Sequence, residues 1–112
     1  MNVERAEHIA ERARRTPGVV RLSAGRLGGV ATHGAGRRVE GVRLRDDHAE
    51  VHIVVAGSVP SLPAVADAVR RSVSEIETSR RVDVFVDDVD LDVVDLDAVA
   101  LDAVASSLGA GR

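Results

Sequence analysis

Between residues 39 and 57 the chain reads VEGVRLRDDHAEVHIVVAG, and its apolar positions follow the period of a β-strand. Val42 and Leu44 alternate with Arg43 and Arg45, and Val51, Ile53 and Val55 alternate with Glu50 and His52. A period of two sends successive side chains to opposite faces of a sheet, so the stretch predicts two strands joined at Asp46-Asp47-His48, with one apolar face. That face needs a cover. Two amphipathic segments can supply it, residues 3–15 before the hairpin and 63–78 after it.

In the first segment Val3, Ala6, Ile9, Ala10 and Ala13 recur at helical spacing, and Thr16-Pro17-Gly18 ends the run, because Pro disfavours helical geometry in the residue before it. Residues 19–23 read as a short strand and 24–29 as a glycine-rich turn, with 30–33 as the strand's partner. In the second segment Ser61 is placed to cap and Pro63 falls in the first turn. Val65, Ala68, Val69, Ser72, Val73 and Ile76 line one face, with Asp67, Arg70, Arg71, Glu75 and Glu77 opposite, so that Arg71 and Glu75 can pair. A last strand follows, with Val82, Val84 and Val86 inward and Asp83, Phe85 and Asp87 outward. At Asp87-Asp88 the apolar parity changes, which predicts a bulge or the end of the strand.

The expected fold is an α+β two-layer sandwich. A mainly antiparallel five-strand sheet (19–23, 30–33, 39–45, 50–56 and 82–89) carries two helices on one face, in the order α-β-β-β-β-α-β. Residues 1–90 form this domain. Residues 91–112 are an acidic tail with a short repeat of the type Leu-Asp-Ala-Val-Ala, read either as a helix with one apolar stripe or as partly disordered. Three copies fall short of one coil of a pentapeptide β-helix.

Composition narrows the chemistry. The chain has 112 residues, enough for one core, and that core is aliphatic, because there is one Phe, no Tyr and no Trp. So little aromatic surface argues against nucleic-acid binding through stacked bases. With no Cys, disulfides and thiolate chemistry are excluded. No apolar run approaches the roughly 18 residues of a membrane span, and the N-terminus is charged throughout, so a cytoplasmic protein is expected. Charge is split: residues 1–81 carry 14 Arg against 10 acids, and 82–112 carry 8 Asp against one Arg.

The reactive side chains form no patterned site. His48 and His52, four apart on one strand face, stand about 13 Å from each other, too far to share one metal ion. Gly25-Arg26-Leu27-Gly28-Gly29 and Gly34-Ala35-Gly36 lack the Gly-Lys-Ser/Thr of a phosphate loop and lead into no helix, so they read as hairpin glycines. Ser23, Ser58, Ser61 and Thr32 have no patterned base near them. No catalytic, cofactor or metal residue is assigned. Arg37, Arg38, Arg70 and Arg71 are the candidate partner-binding residues, through phosphate or acidic groups. Val54, Ala56 and Phe85, apolar on the outward sheet face, are the candidate self-association patch and predict a homo-oligomer.

Several short elements, taken in order, carry a family resemblance: Pro17-Gly18-Val19 after the first helix, Gly29-Val30-Ala31-Thr32, Gly36, Gly41-Val42, Glu50-Val51-His52-Ile53-Val54-Val55, the Val65/Val69/Val73 helix, and Val82-Asp83-Val84-Phe85-Val86-Asp87-Asp88-Val89. Over roughly residues 6–89 the chain resembles the alkaline shock protein family of bacterial envelope stress response proteins. Many members carry a Tyr-Gly step where this chain has Ala56-Gly57. The resemblance implies a small cytoplasmic, non-enzymatic scaffold without cofactor, held near the membrane by an integral membrane partner, able to assemble further and linked to cell-envelope homeostasis. The alternative from the arginine pairs is a small RNA- or phosphate-binding module.

Overall fold

The computed structural model describes residues 2–93. Helix α1 (Asn2–Arg14) is followed by strands β1 (Val19–Leu22), β2 (Ala31–Gly34), β3 (Arg37–Glu40), β4 (Val42–Leu44) and β5 (His48–Ala56), helix α2 (Leu62–Ser74) and strand β6 (Arg81–Asp90). The α+β class expected from the pattern is present. The tail assignment to helix or disorder lies, from residue 94 onward, outside the described residues.

β5 is the centre of the fold. β6 pairs with it in parallel from His48↔Arg81 to Ala56↔Asp90 and so occupies one edge along its whole length. The other edge is shared end to end by two antiparallel strands, β4 opposite Ala49, Glu50 and Val51 and β1 opposite Ile53, Val54 and Val55. At the seam between them His52 accepts the Ser23 N–H at 2.9 Å and donates its own N–H to Gly41 at 2.8 Å. Ala49, Val51, Ile53 and Val55 enter one buried cluster with Val42, Val82, Ile9, Val69 and Val73, so both helices cover the face that the alternation marked as apolar.

The strands divide over two sheets instead of joining in one of five. The expected strand 39–45 is broken at Gly41, whose φ of +85° is open to glycine and strained for other residues. A side chain there would also collide with β1, since an added Cβ would lie 2.5 Å from the Leu22 Cβ. Released from β4, β3 folds back on β2 from Ala31↔Glu40 to Gly34↔Arg37. The two residues between them, Ala35 and Gly36, both take positive φ, the geometry of a tight hairpin turn. The expected pairing of 19–23 with 30–33 is therefore replaced: β1 joins β5, and β2 joins β3.

The parity change at Asp87-Asp88 is a bulge. Ile53 pairs with Val86 and Val54 with Asp88, which leaves Asp87 as the extra residue, and the strand continues to Asp90. α2 begins as expected, with the Ser61 hydroxyl accepting the Ala64 N–H at 3.2 Å. It ends earlier, at Ser74, so Glu77 belongs to the following turn and points inward, its side chain fully buried.

Candidate functional site

The sheet face turned away from the helices is polar and ordered by charge. The period of β5 places His48, Glu50 and His52 on it, and the parallel register sets His52 against Phe85. The two rings stack with centroids 4.5 Å apart and planes 19° from parallel. Asp87, carried by the bulge, holds the His52 Nδ1 at 2.9 Å. A carboxylate only accepts hydrogen bonds, so Nδ1 is the donor. The His52 Nε2 is enclosed without a hydrogen-bond partner and lies 3.5 Å from the Glu50 Oε1.

His48 continues the row. Its Nδ1 donates to Asp47 at 2.7 Å and its Nε2 to Glu50 at 3.1 Å, so both ring nitrogens meet acceptors, which is the arrangement of the protonated ring. These two hydrogen bonds, that to Asp47 first, raise the His48 pKa above its ordinary 6.5. Asp47 is lowered in return by its bond to His48. Burial pushes Glu50 up, but the His48 hydrogen bond and the Arg43 charge outweigh it and leave its pKa below the ordinary value. Asp83 is lowered by a two-pronged bond from Arg81 at 3.0 Å.

A pH dependence follows. A histidine whose folded pKa lies above the unfolded one stabilises the fold fully at pH values below the unfolded pKa and loses that contribution as pH rises through the folded value. The melting temperature of the wild type, measured against His48→Gln, is expected to be highest below about pH 6.5 and to converge on the variant at alkaline pH. A difference independent of pH from 5 to about 9 would show that the ring is not held by these carboxylates.

Of the candidate self-association residues, only Phe85 is available. It is 44% exposed, while Val54 is 3% and Ala56 0% exposed within the single chain. Val54 lies beside an open hollow of about 690 Å³ shared with Arg21, Arg26 and Val86. Ala56 is enclosed where the chain returns, donating to Gly18 and accepting from Val59. A patch of three is thus corrected to one aromatic ring with charged neighbours, because Val54 and Ala56 are buried within the chain, Ala56 under its backbone contacts with Gly18 and Val59.

The candidate partner-binding arginines are not brought into one basic face. Arg37 and Arg38 sit on β3, and Arg70 and Arg71 on α2, each already paired: Arg37 with Glu7 at 2.9 Å, Arg38 with Glu40 at 3.0 Å, and Arg70 and Arg71 with Asp67. The expected Arg71–Glu75 pair gives way to Glu75 with Arg12 at 2.7 Å, a contact between the helices that spacing within one helix could not reveal. Three of the hydroxyls considered as nucleophiles serve the backbone: Ser61 caps α2, Ser23 accepts the Gly25 N–H, and Thr32 donates to the Val42 carbonyl at 2.6 Å. Among the described residues no group of three or more His, Asp or Glu side chains is arranged to hold a metal ion.

What the face offers is an aromatic ring in a charged frame, on a rigid sheet, which suits contact with another macromolecule. The His52–Phe85 stack escaped the sequence reading, since parity places both residues outward but only the parallel register makes them neighbours. Comparison of the chain with known protein families, with curated proteins and with solved structures finds no match in any of the three.

Proposed function

We propose that this chain is a non-enzymatic scaffold that acts by protein contact, in the way implied by the alkaline shock proteins it resembles: cytoplasmic, held at the membrane by an integral membrane partner, able to assemble further, and serving cell-envelope homeostasis. The observation that supports it is the outer sheet face, where Phe85 stands 44% exposed on the His52 ring. An exposed aromatic in a charged frame is the usual anchor of a protein interface. The order of elements over residues 6–89 adds the family resemblance. No helix among the described residues is long and apolar enough to cross a membrane, and on this reading the envelope is reached through the partner.

The test is affinity capture from detergent-solubilised membranes of a bacterium that encodes the chain, with folded wild type and Phe85→Asp as baits. Wild type is expected to enrich an integral membrane protein that the variant loses while keeping its melt. Equal capture by both, or none by either, would overturn the reading. RNA binding at low salt that declines steeply with added salt would turn the assignment to phosphate recognition.

A further inference from the structure

β5 fills one edge of β6, and among the described residues no strand pairs with the other. The hydrogen bonds that close the ladder show which groups face that edge. Arg81 donates its N–H to Asp47 on the β5 side, and beyond the bulge the Asp90 carbonyl accepts from Gly57 on the same side. Since alternate residues of a strand point their backbone groups to opposite edges, Val82, Val84 and Val86 direct N–H and C=O outward. Further on, the Asp88 carboxylate takes the Val89 N–H at 2.8 Å, which closes the edge at that end. Among the described residues a stretch from Val82 to Val86 is left unpaired, about 17 Å of backbone template.

We propose that this edge is a strand-addition site for an extended basic segment of a partner protein, apolar at alternate positions with Arg or Lys between them. The proposal rests on the scaffold reading above and supplies the chemistry of its partner. A strand added beside β6 would set one row of its side chains against Val84 and Val86, which are only partly covered, and the other row beside Asp83, Phe85 and Asp87 on the outer face. The first row calls for aliphatic residues. The second calls for cations, because the strand carries four Asp from position 83 to 90 against one basic residue of its own: Arg81 is bound to Asp83, Arg21 of β1 reaches only Asp90 and the His52 ring holds Asp87, so the strand keeps an acidic excess. A guanidinium or ammonium there can share Asp83 and lie on the exposed Phe85 ring.

The same charges disfavour a second copy of β6 in one of its registers. Antiparallel pairing of β6 with itself around Phe85 sets Asp83 opposite Asp87, and like charges directly opposite destabilise a pair of strands, whereas the register centred on Val84 sets Arg81 opposite Asp87 and would show as a dimer in the absence of peptide, overturning a basic partner segment as the occupant.

The probe is a synthetic peptide of about nine residues alternating Val and Arg, titrated into the full chain with anisotropy as readout and hydrogen exchange of the Val82, Val84 and Val86 amides as a second measure. Binding with slowed exchange at those three amides is expected. Weakening of about tenfold or more is expected for a peptide alternating Val and Glu, for the Val–Arg peptide N-methylated at alternate residues, and for Val84→Pro, whose lost N–H serves only the outer edge. Equal binding of the N-methylated peptide would reduce the contact to charge attraction and overturn strand addition, as would no binding of the Val–Arg peptide. Membrane capture by Phe85-intact Val84→Pro at the wild-type level would overturn the edge site alone and leave the scaffold reading standing.

Discussion

Replacing Ile53 by Asp is expected to unfold the chain. Ile53 is 0% exposed at the middle of β5, paired with Leu22 on one side and Val86 on the other and packed under both helices. The substitution removes a large aliphatic side chain and puts a carboxyl group where no described donor awaits it. Burying an unpaired charge costs several kcal/mol even after the group neutralises itself, against about 5–15 kcal/mol for a whole domain. Ile53→Val, which removes one methylene, is expected to cost only about 0.5–1.5 kcal/mol. Far-UV circular dichroism and urea melts decide the matter. A cooperative melt for Ile53→Asp near that of Ile53→Val would place position 53 outside the core.

Glu77→Ala is expected to cost about 2–4 kcal/mol, the second largest effect. The Glu77 carboxylate has no exposed surface and closes the junction of α1, α2 and β6. It accepts the Ser79 hydroxyl at 3.0 Å, the Ser79 N–H at 3.3 Å and the Arg80 guanidinium at 3.3 Å, with the Arg5 Nε at 3.7 Å. Removing it strands these donors around an apolar methyl group. The figure stays below the full cost of breaking a buried ion pair because Arg5 is half-exposed and can turn to water. Glu75→Ala serves as the contrast. Its partner contact with Arg12 is short, but Glu75 is largely exposed, so about 1 kcal/mol or less is expected. For a domain of this size 1 kcal/mol corresponds to roughly 4–8 °C in melting temperature, so calorimetry separates the two variants readily. Equal melting temperatures would show that Glu77 does not hold the junction.

The contrast between Glu75 and Glu77 shows where reading the sequence stops. Both fall on the polar face when the α2 periodicity is carried to residue 78, and both would be solvated there. The helix ends at Ser74, and the turn that follows rotates Glu77 into the interior, where Ser79 and Arg80 are waiting. No hydrophobic period marks that rotation, because it depends on how the chain must travel to reach the start of β6. The same holds for Val54 and Ala56: parity assigns them to the outer face, and only the folded chain shows them buried there.

What the sequence by itself determined is local and periodic. The alternation along β5, the apolar stripes of α1 and α2, the Ser61 cap, and the parity change that is the bulge at Asp87 are each set by neighbouring residues and by the two side-chain periods of the backbone. Pairing was decided only in three dimensions. Gly41 supplies a break, but whether β3 continues along β5 or folds back on β2, and whether β1 meets β2 or β5, depends on which strand fills the free edge of β5, a competition between segments far apart in sequence. The outer face follows from that choice. His52 meets Phe85 and Asp87 because β6 arrives parallel to β5 in one register, and a register is a relation between two strands that neither carries alone.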